Sequence, residues 1–206
     1  MDEFFYHLQI AGMRWRLSSP LRLEAEDSCA PFLTEAGQAD CTIAYALGRP
    51  TEYGPVLRES DPRVYAAVDG YLVERPPMTS NTPNTCVQLS DSDPIRLRGW
   101  IYPERADKVS KLIQLLDGSE LEIMLSAMGT VSLHSSLVRY RDEAILFTAP
   151  SGTGKSTQAD LWEQYEHADV INGDRSLIRK LDGRWTAFGS PFAGSSQIFR
   201  NESVPI

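Results

Sequence analysis

Cysteine is scarce in this 206-residue chain: Cys29, Cys41 and Cys86 stand far apart, and none has CxxC spacing. An odd count without paired spacing argues against a disulfide framework and reads as reduced thiols. Histidine is as scarce, with three in the whole chain, and no Cys/His arrangement has the spacing of a zinc site. Long apolar runs are missing too; none approaches the ~20 residues a membrane span needs. The opening stretch MDEFFYHLQIAGMRWRL puts acidic residues first and has only a short apolar patch, unlike a signal peptide. Positive charge is in deficit, with 20 Lys and Arg against 28 Asp and Glu and a net charge of −8. That balance counts against nucleic acid or an anionic membrane as the main partner. The expectation is a cytoplasmic protein with no nucleic-acid and no membrane partner, and a homo-oligomer is left open.

What is present is an ordinary globular balance, 42% hydrophobic and 23% charged, enough for one large domain or two small ones. The first hundred residues read as β-rich. FYHLQIAGMRWRLSS (4–18) has two apolar runs broken at Ala11-Gly12, and VYAAVDGYLVER (64–75) carries the hairpin signal Asp69-Gly70. CVQLSDSDPIRLRGWIY (86–102) is a further strand pair around a polar turn. RPPMTSNTPNT (75–85), rich in proline and without periodicity, predicts a mobile excursion. ADKVSKLIQLL (106–116) predicts a helix with Val109, Leu112, Ile113 and Leu116 on one face, and SELEIMLSA (119–127) a second, short one. A strand pattern GTVSLHSSLVRY (129–140) follows, then AILFTAP (144–150), a glycine turn, a helix TQADLWEQY (157–165) and a strand ADVINGD (168–174). SLIRKLDGRWTAF (176–188) closes with a hairpin at Asp182-Gly183.

The turn Ser151-Gly152-Thr153-Gly154-Lys155-Ser156-Thr157 has the ingredients of a phosphate cradle. Glycines let backbone N–H groups turn inward and leave room for oxygens. The helix that follows adds partial positive charge at its N-terminus. Lys155 can reach the β and γ phosphates of ATP, and the Ser156 hydroxyl can coordinate Mg²⁺. Such motifs begin with Gly six residues before the Lys; here that position is Ala149.

Two other residues belong with this turn. With the preceding hairpin centred on Asp142, paired residues sum to 284, which sets His134 opposite Pro150 at the mouth of the turn. A strand histidine can be purely structural; beside phosphates it can steer a transferring group. Asp174 ends the strand ADVINGD nineteen positions after Lys155. An Asp at that place beside a phosphate loop holds Mg²⁺ or takes the proton of an attacking hydroxyl. The plainer alternative is a turn Asp paired with Arg175. Glu163, Glu166 and His167 read as the solvated face and end of the helix.

LHSSLV, APSGTGKST and INGDRSLI, in that order, resemble the catalytic domain of HPr kinase/phosphorylase and its relatives, which shares its fold with ATP-dependent phosphoenolpyruvate carboxykinase. The resemblance covers residues 129–206. It implies that His134 takes the place of the catalytic histidine, that Lys155 and Ser156 take the phosphate and metal roles, and that Asp174-Arg175 takes the place of the Asp-Arg pair, with Asp as base or metal partner. The whole chain, including SPFAGSSQIFRNESVP, looks most like a branch of kinase-like proteins, some of which phosphorylate a serine on a precursor peptide. The sequence departs from the family at Gly173, where the first Asp of an Asp-Asp-Arg run would stand. It departs again where a Glu-x-Arg-Gly signature would follow; Arg200 stands in that region, readable as an exposed loop residue or as a phosphate contact. The chain reaches Ile206 where such a domain is expected to continue for about a hundred residues more, which predicts a C-terminally truncated member.

The implied fold class is mixed α/β (α+β): a β-rich N-terminal domain (1–103), a helical connector (104–128) and an HPr kinase-like P-loop domain (129–206). The implied activity is an ATP- and Mg²⁺-dependent kinase acting on a serine hydroxyl of a peptide or small protein. The catalytic residues would be Asp174, His134 and Lys155, the cradle Ser151 to Thr157, and the metal ligands Ser156 and Asp174. The β-rich part would then present the acceptor. An ATP-binding switch without phosphoryl transfer is the alternative. A carboxykinase would need a further cluster of basic residues and metal ligands, which the sequence does not offer.

Overall fold

The structure, a computed structural model, describes residues 2–25, 28–77, 80–192 and 194–206. Met78 and Thr79, in the excursion expected over 75–85, lie outside the described residues. Among the described residues strand makes up 42% and helix 18%, so the fold is mixed and sheet-rich. Among the described residues, no helix is long and apolar enough to cross a membrane. The chain divides into two compact units, one of residues 1–8, 14–26 and 35–124, the other of residues 9–13, 27–34 and 125–206.

The first unit is built on an eight-stranded sheet. Its strands are β1 (Phe4–Ile10), β2 (Met13–Ser19), β3 (Cys41–Leu47), β4 (Val56–Arg58), β5 (Arg63–Ala66), β6 (Tyr71–Glu74), β7 (Thr85–Leu89) and β8 (Arg96–Ile101). They lie in the order β1-β2-β3-β8-β7-β6-β5-β4. β3 runs parallel to both β2 and β8, whereas the ladders from β8 to β4 are antiparallel. Period-two alternation sends Trp15, Leu17, Ile43 and Tyr45 inward, and Tyr45 donates its hydroxyl to Leu115 O at 2.9 Å.

Asp69-Gly70 closes the β5–β6 hairpin, where Ala66 pairs with Tyr71 and Gly70 takes φ +80°. Asp69 does more than turn the chain. Its carboxylate accepts the backbone N–H groups of Asp91 and Ser92, each at 3.1 Å, and the Ser90 and Ser92 hydroxyls. The polar Ser-Asp-Ser-Asp stretch thus ties the β7–β8 turn to the neighbouring hairpin.

The helix predicted over 106–116 is shorter and starts later. Residues Pro103–Lys108 form 3₁₀ turns, and α1 spans Leu112–Asp117. The chain between them is pulled extended by hydrogen bonds to Glu24: Glu24 N–H donates to Ser110 O at 2.8 Å and Leu112 N–H to Glu24 O at 2.9 Å. Val109, Leu112 and Leu116 are still buried, with Leu115 added, while Ile113 is only half-buried. The second helix, α2, spans Leu121–Ala127.

The second unit carries a six-stranded antiparallel sheet. Its strands are β9 (Thr130–Tyr140), β10 (Glu143–Thr148), β11 (Asp169–Asn172), β12 (Arg175–Leu181), β13 (Arg184–Phe188) and β14 (Ser203–Pro205). Helix α3 (Lys155–Glu166) links β10 to β11. The eleven-residue β9 is the organising strand. One edge pairs with β10; the other pairs first with β12 and then with β11. Its Ser135 to Val138 run is continuously buried, as expected for a strand covered on both faces. Leu137 packs with Ile171, Ala187 and Val204, whereas Val138 packs with Ala159 of α3, Ala168 and Val170. Trp162 of α3 meets Tyr140 edge-on at 5.2 Å between ring centres.

The Asp69 carboxylate, held by the Ser90 and Ser92 hydroxyls, has its pKa lowered from 3.8 to about 2. A carboxylate with a depressed folded-state pKa stabilises the fold fully above its unfolded value and loses that contribution as pH falls through the folded one. Asp69→Asn is therefore expected to lower the melting midpoint at pH 6, with the gap to wild type closing between about pH 4 and pH 2. Melting curves across that range check it; a gap that does not change with pH contradicts it.

Candidate functional site: a glycine turn and a broken strand

β10 delivers the chain to the glycine turn because Ile145 and Phe147 pack against Ala159 and Trp162 of α3 while Leu146, on the opposite face, packs against Leu137 of β9. The turn then needs backbone conformations that side chains resist. Gly152 takes φ +79° and Gly154, the residue before the helix, φ +92° and ψ 22°. A Cβ at Gly152 would meet nothing within 4 Å, so the glycine is required there by conformation rather than by space. Helix α3 begins at Lys155, and Gln158 is the first helical residue whose N–H bonds back, to Gly154 O at 2.9 Å. The amides of the first turn carry the helix's partial positive charge.

Ser151, Gly152 and Thr153 are exposed, as are Ser156 and Thr157, while Gly154 and Lys155 are half-buried. Lys155 folds back over the turn, its Nζ donating to Ala149 O at 3.1 Å and Pro150 O at 3.4 Å. The Thr153 hydroxyl donates to Pro150 O at 2.6 Å. The ammonium thus sits among the turn's own carbonyls.

The hairpin leading into the turn differs by one residue from the predicted register. Paired residues sum to 283, as in Glu143 with Tyr140 and Thr148 with Ser135. The cause is a two-residue turn in which Arg141 (φ 50°) and Asp142 (φ 65°) are both left-handed, in place of a turn centred on Asp142 alone. His134 is accordingly not paired with Pro150. It lies one position beyond the last β9–β10 pair, where Thr148 donates its hydroxyl to His134 O at 3.3 Å. On its other edge His134 pairs with Arg175.

β11 and β12 are in effect one long strand along β9, interrupted at Gly173-Asp174. Asp169 and Val170 pair at residue sums of 308, and from Asn172 onward the sum is 309. Asn172 holds the break open. Fully buried, it accepts the N–H groups of Asp174 at 2.9 Å and Arg175 at 2.8 Å on Oδ1. Its Nδ2 donates to Ser190 O at 3.0 Å and Phe192 O at 3.2 Å. The buried serines of LHSSLV serve the same break: Ser136 donates its hydroxyl to Gly173 O at 3.3 Å, and Ser135 donates its N–H to Asp174 O at 3.0 Å.

The break brings His134 and Asp174 together. His134 Nδ1 lies 3.1 Å from Asp174 O and 3.4 Å from Asp174 Oδ1. A proton on Nδ1 satisfies both oxygens and leaves Nε2 as an acceptor. Arg175, the alternative partner that the sequence offers Asp174, carries its guanidinium over the Phe192 ring at 4.9 Å. Arg200 lies elsewhere, its guanidinium 3.8 Å from Asp169 at the far end of β11. Glu163, Glu166 and His167 are exposed.

The segment after β13 closes against the break. A Cβ on Gly194 would stand 2.6 Å from Asp174 Cγ, and a Cβ on Gly173 would stand 2.0 Å from Ser196 Oγ. Ser196 therefore occupies the space into which a side chain at position 173 would project. No sequence motif assigns a role to Asn172, Ser136, Ser190, Gly194 or Ser196. Only Asn172 left a signal, in Asn-Gly-Asp, a turn-forming run at the end of an apolar strand.

Comparison with protein-family models, with curated proteins and with solved structures gave no match.

Gly173→Asp would restore the carboxylate pair that the family resemblance implies, but at a position filled by Ser196. It is expected to destabilise the protein by about 1–3 kcal/mol, the range for overpacking, and Ser196→Gly in the same chain to recover part of the loss. Denaturant unfolding of the single and double variants measures both. An unchanged midpoint for Gly173→Asp would show that the segment yields freely.

Proposed function

We propose that this protein binds ATP·Mg²⁺ at the Ser151–Thr157 turn and transfers the γ-phosphoryl group to a serine hydroxyl of a peptide or small protein, as an HPr kinase-like enzyme. The observation that carries the reading is the pairing of His134 with Asp174 on one strand edge, next to the strand that leads into the turn. The turn amides and Lys155 would hold the phosphates, the lysine exchanging two carbonyl contacts for anionic oxygens. Ser156 and Asp174 are hard oxygen donors of the kind Mg²⁺ takes, and when bound the ion neutralises charge on the phosphates. The acceptor hydroxyl loses its proton to the Asp174 carboxylate as its oxygen bonds to the γ phosphorus and the bond to the ADP oxygen breaks. His134 steadies that carboxylate through Nδ1 and offers its ring to the transferring group.

The second reading is a switch that binds ATP without passing the phosphoryl group on. It is favoured by Gly173, which leaves Asp174 as the one carboxylate at the break, with Ser196 filling the space beside it.

Melting curves with and without ATP·Mg²⁺ address the first step, since a ligand that binds only the folded form raises the midpoint; the effect is about 2.7 kcal/mol at a ligand concentration of 100 Kd. A rise is expected for wild type, a lost rise for Lys155→Ala, and a retained rise for Asp174→Asn. Mass spectrometry of serine-containing peptides incubated with each protein and ATP addresses the second. Phosphoserine formed by wild type and not by Asp174→Asn supports the kinase. A nucleotide-dependent rise without phosphoserine on any peptide supports the switch, and no rise in folded wild type removes both.

A further inference from the structure

The first unit contains a cavity of about 380 Å³, within the size range of small-ligand sites, lined in part by Arg49, Tyr53, Tyr65, Glu74, Tyr102 and Glu104. Three of its tyrosine hydroxyls converge on Glu74. Tyr65 donates to Glu74 Oε2 at 3.0 Å, Tyr53 reaches Oε1 at 3.3 Å, and Tyr102 also donates to Oε1. The Tyr53 and Tyr102 hydroxyls are themselves 3.0 Å apart. Burial pushes the Tyr53 hydroxyl up to about 12, and burial and Glu74 push that of Tyr102 up as well, so both stay protonated donors at neutral pH.

Three phenols spread the charge of a carboxylate but do not cancel it. Among the described residues no ammonium or guanidinium forms an ion pair with Glu74. The nearest guanidinium across the β5–β6 ladder is that of Arg63, which pairs with Glu74 in register and, with Tyr65 and Glu74 nearby, has its pKa raised without forming an ion pair with the carboxylate. Arg49 is engaged by Glu104 at the cavity, and its guanidinium lies 3.9 Å from the centre of the Tyr102 ring. The cavity wall therefore already holds one cation on an aromatic face, as such faces do. The walls offer further aromatic surface, with Tyr53 and Tyr65 packed edge-on at 4.8 Å.

We infer that this cavity is a binding site for the basic side chain, lysine or arginine, of a peptide, with Glu74 as counter-ion and the tyrosine rings around the aliphatic stem. The inference goes beyond the kinase reading and does not depend on it, because every residue it uses lies in the first unit.

The test is titration calorimetry on the full chain with acetyl-Ala-Arg-Ala-amide, its lysine counterpart and its norleucine counterpart, and with methylguanidinium alone. Saturable binding of the basic peptides, absent for norleucine, is expected. Glu74→Gln keeps the shape and removes the charge, and is expected to weaken binding about tenfold or more. Tyr53→Ala, at a partly exposed position, removes a wall and should also weaken it. Arg49→Ala uncovers the Tyr102 face and removes a competing cation, and is expected to tighten it. A melting curve establishes that each variant is folded. Norleucine binding as well as arginine, unchanged affinity in folded Glu74→Gln, or no saturation of folded wild type would overturn the cation site. Methylguanidinium binding as tightly as the arginine peptide would overturn the peptide as its source.

Discussion

The candidate site depends on the buried side-chain amide of Asn172. A strand that continued without interruption along β9 would put residues 173 and 174 into the ladder and commit the Asp174 amide to a β9 carbonyl. Asn172 prevents this by taking the Asp174 and Arg175 amides on its own oxygen while its nitrogen engages Ser190 and Phe192. Each of these groups is buried or half-buried, where an unpaired polar atom costs about 1–3 kcal/mol. The break is thus held on both sides, and Asp174 can turn towards His134 instead of being absorbed in a sheet.

β9 distributes that local geometry. Its Ser135 pairs with Thr148 at the entrance to the glycine turn, and its His134 pairs with Arg175 at the exit from the break. Neighbouring residues of one strand therefore set the positions of two loops that are far apart in sequence. Lys155, held by carbonyls of its own turn, places a positive charge at the glycine turn of a chain whose net charge is −8. Carbonyl contacts of this kind are individually modest, so they fix the ammonium less firmly than an ion pair would.

Elements with strong local signals were legible in the sequence. The Asp-Gly pairs mark hairpins because they reach left-handed conformations at low cost, and Asp182 (φ 47°) and Gly183 (φ 84°) do so between β12 and β13. The glycine turn and the helix after it were equally plain. The strand register is harder to read, because Arg141 joins Asp142 in a left-handed conformation that its type does not announce, and this shifts His134 by one pair. The start of α1 is not legible locally, because the apolar spacing continues through Val109 while hydrogen bonds to Glu24, distant in sequence, hold that stretch extended. Ser196 beside Gly173 and the approach of Tyr53 and Tyr102 to Glu74 are contacts across longer sequence separations that no local pattern encodes, whereas Tyr65 reaches Glu74 across the Asp69-Gly70 hairpin.

Asn172 is followed by Gly173, the kind of dipeptide in which the backbone nitrogen most readily attacks the side-chain amide and expels ammonia. In the folded chain that attack is blocked, because the amide is committed at both ends and Ser196 crowds the glycine. The chemistry needs local opening, so the rate at which this protein ages would track how often the break comes apart. A chain that had aged to aspartate would set a carboxylate against the carbonyls of Ser190 and Phe192, repelling the two groups its nitrogen now holds. The joint that aims Asp174 would then be the part of the molecule that records its history of unfolding.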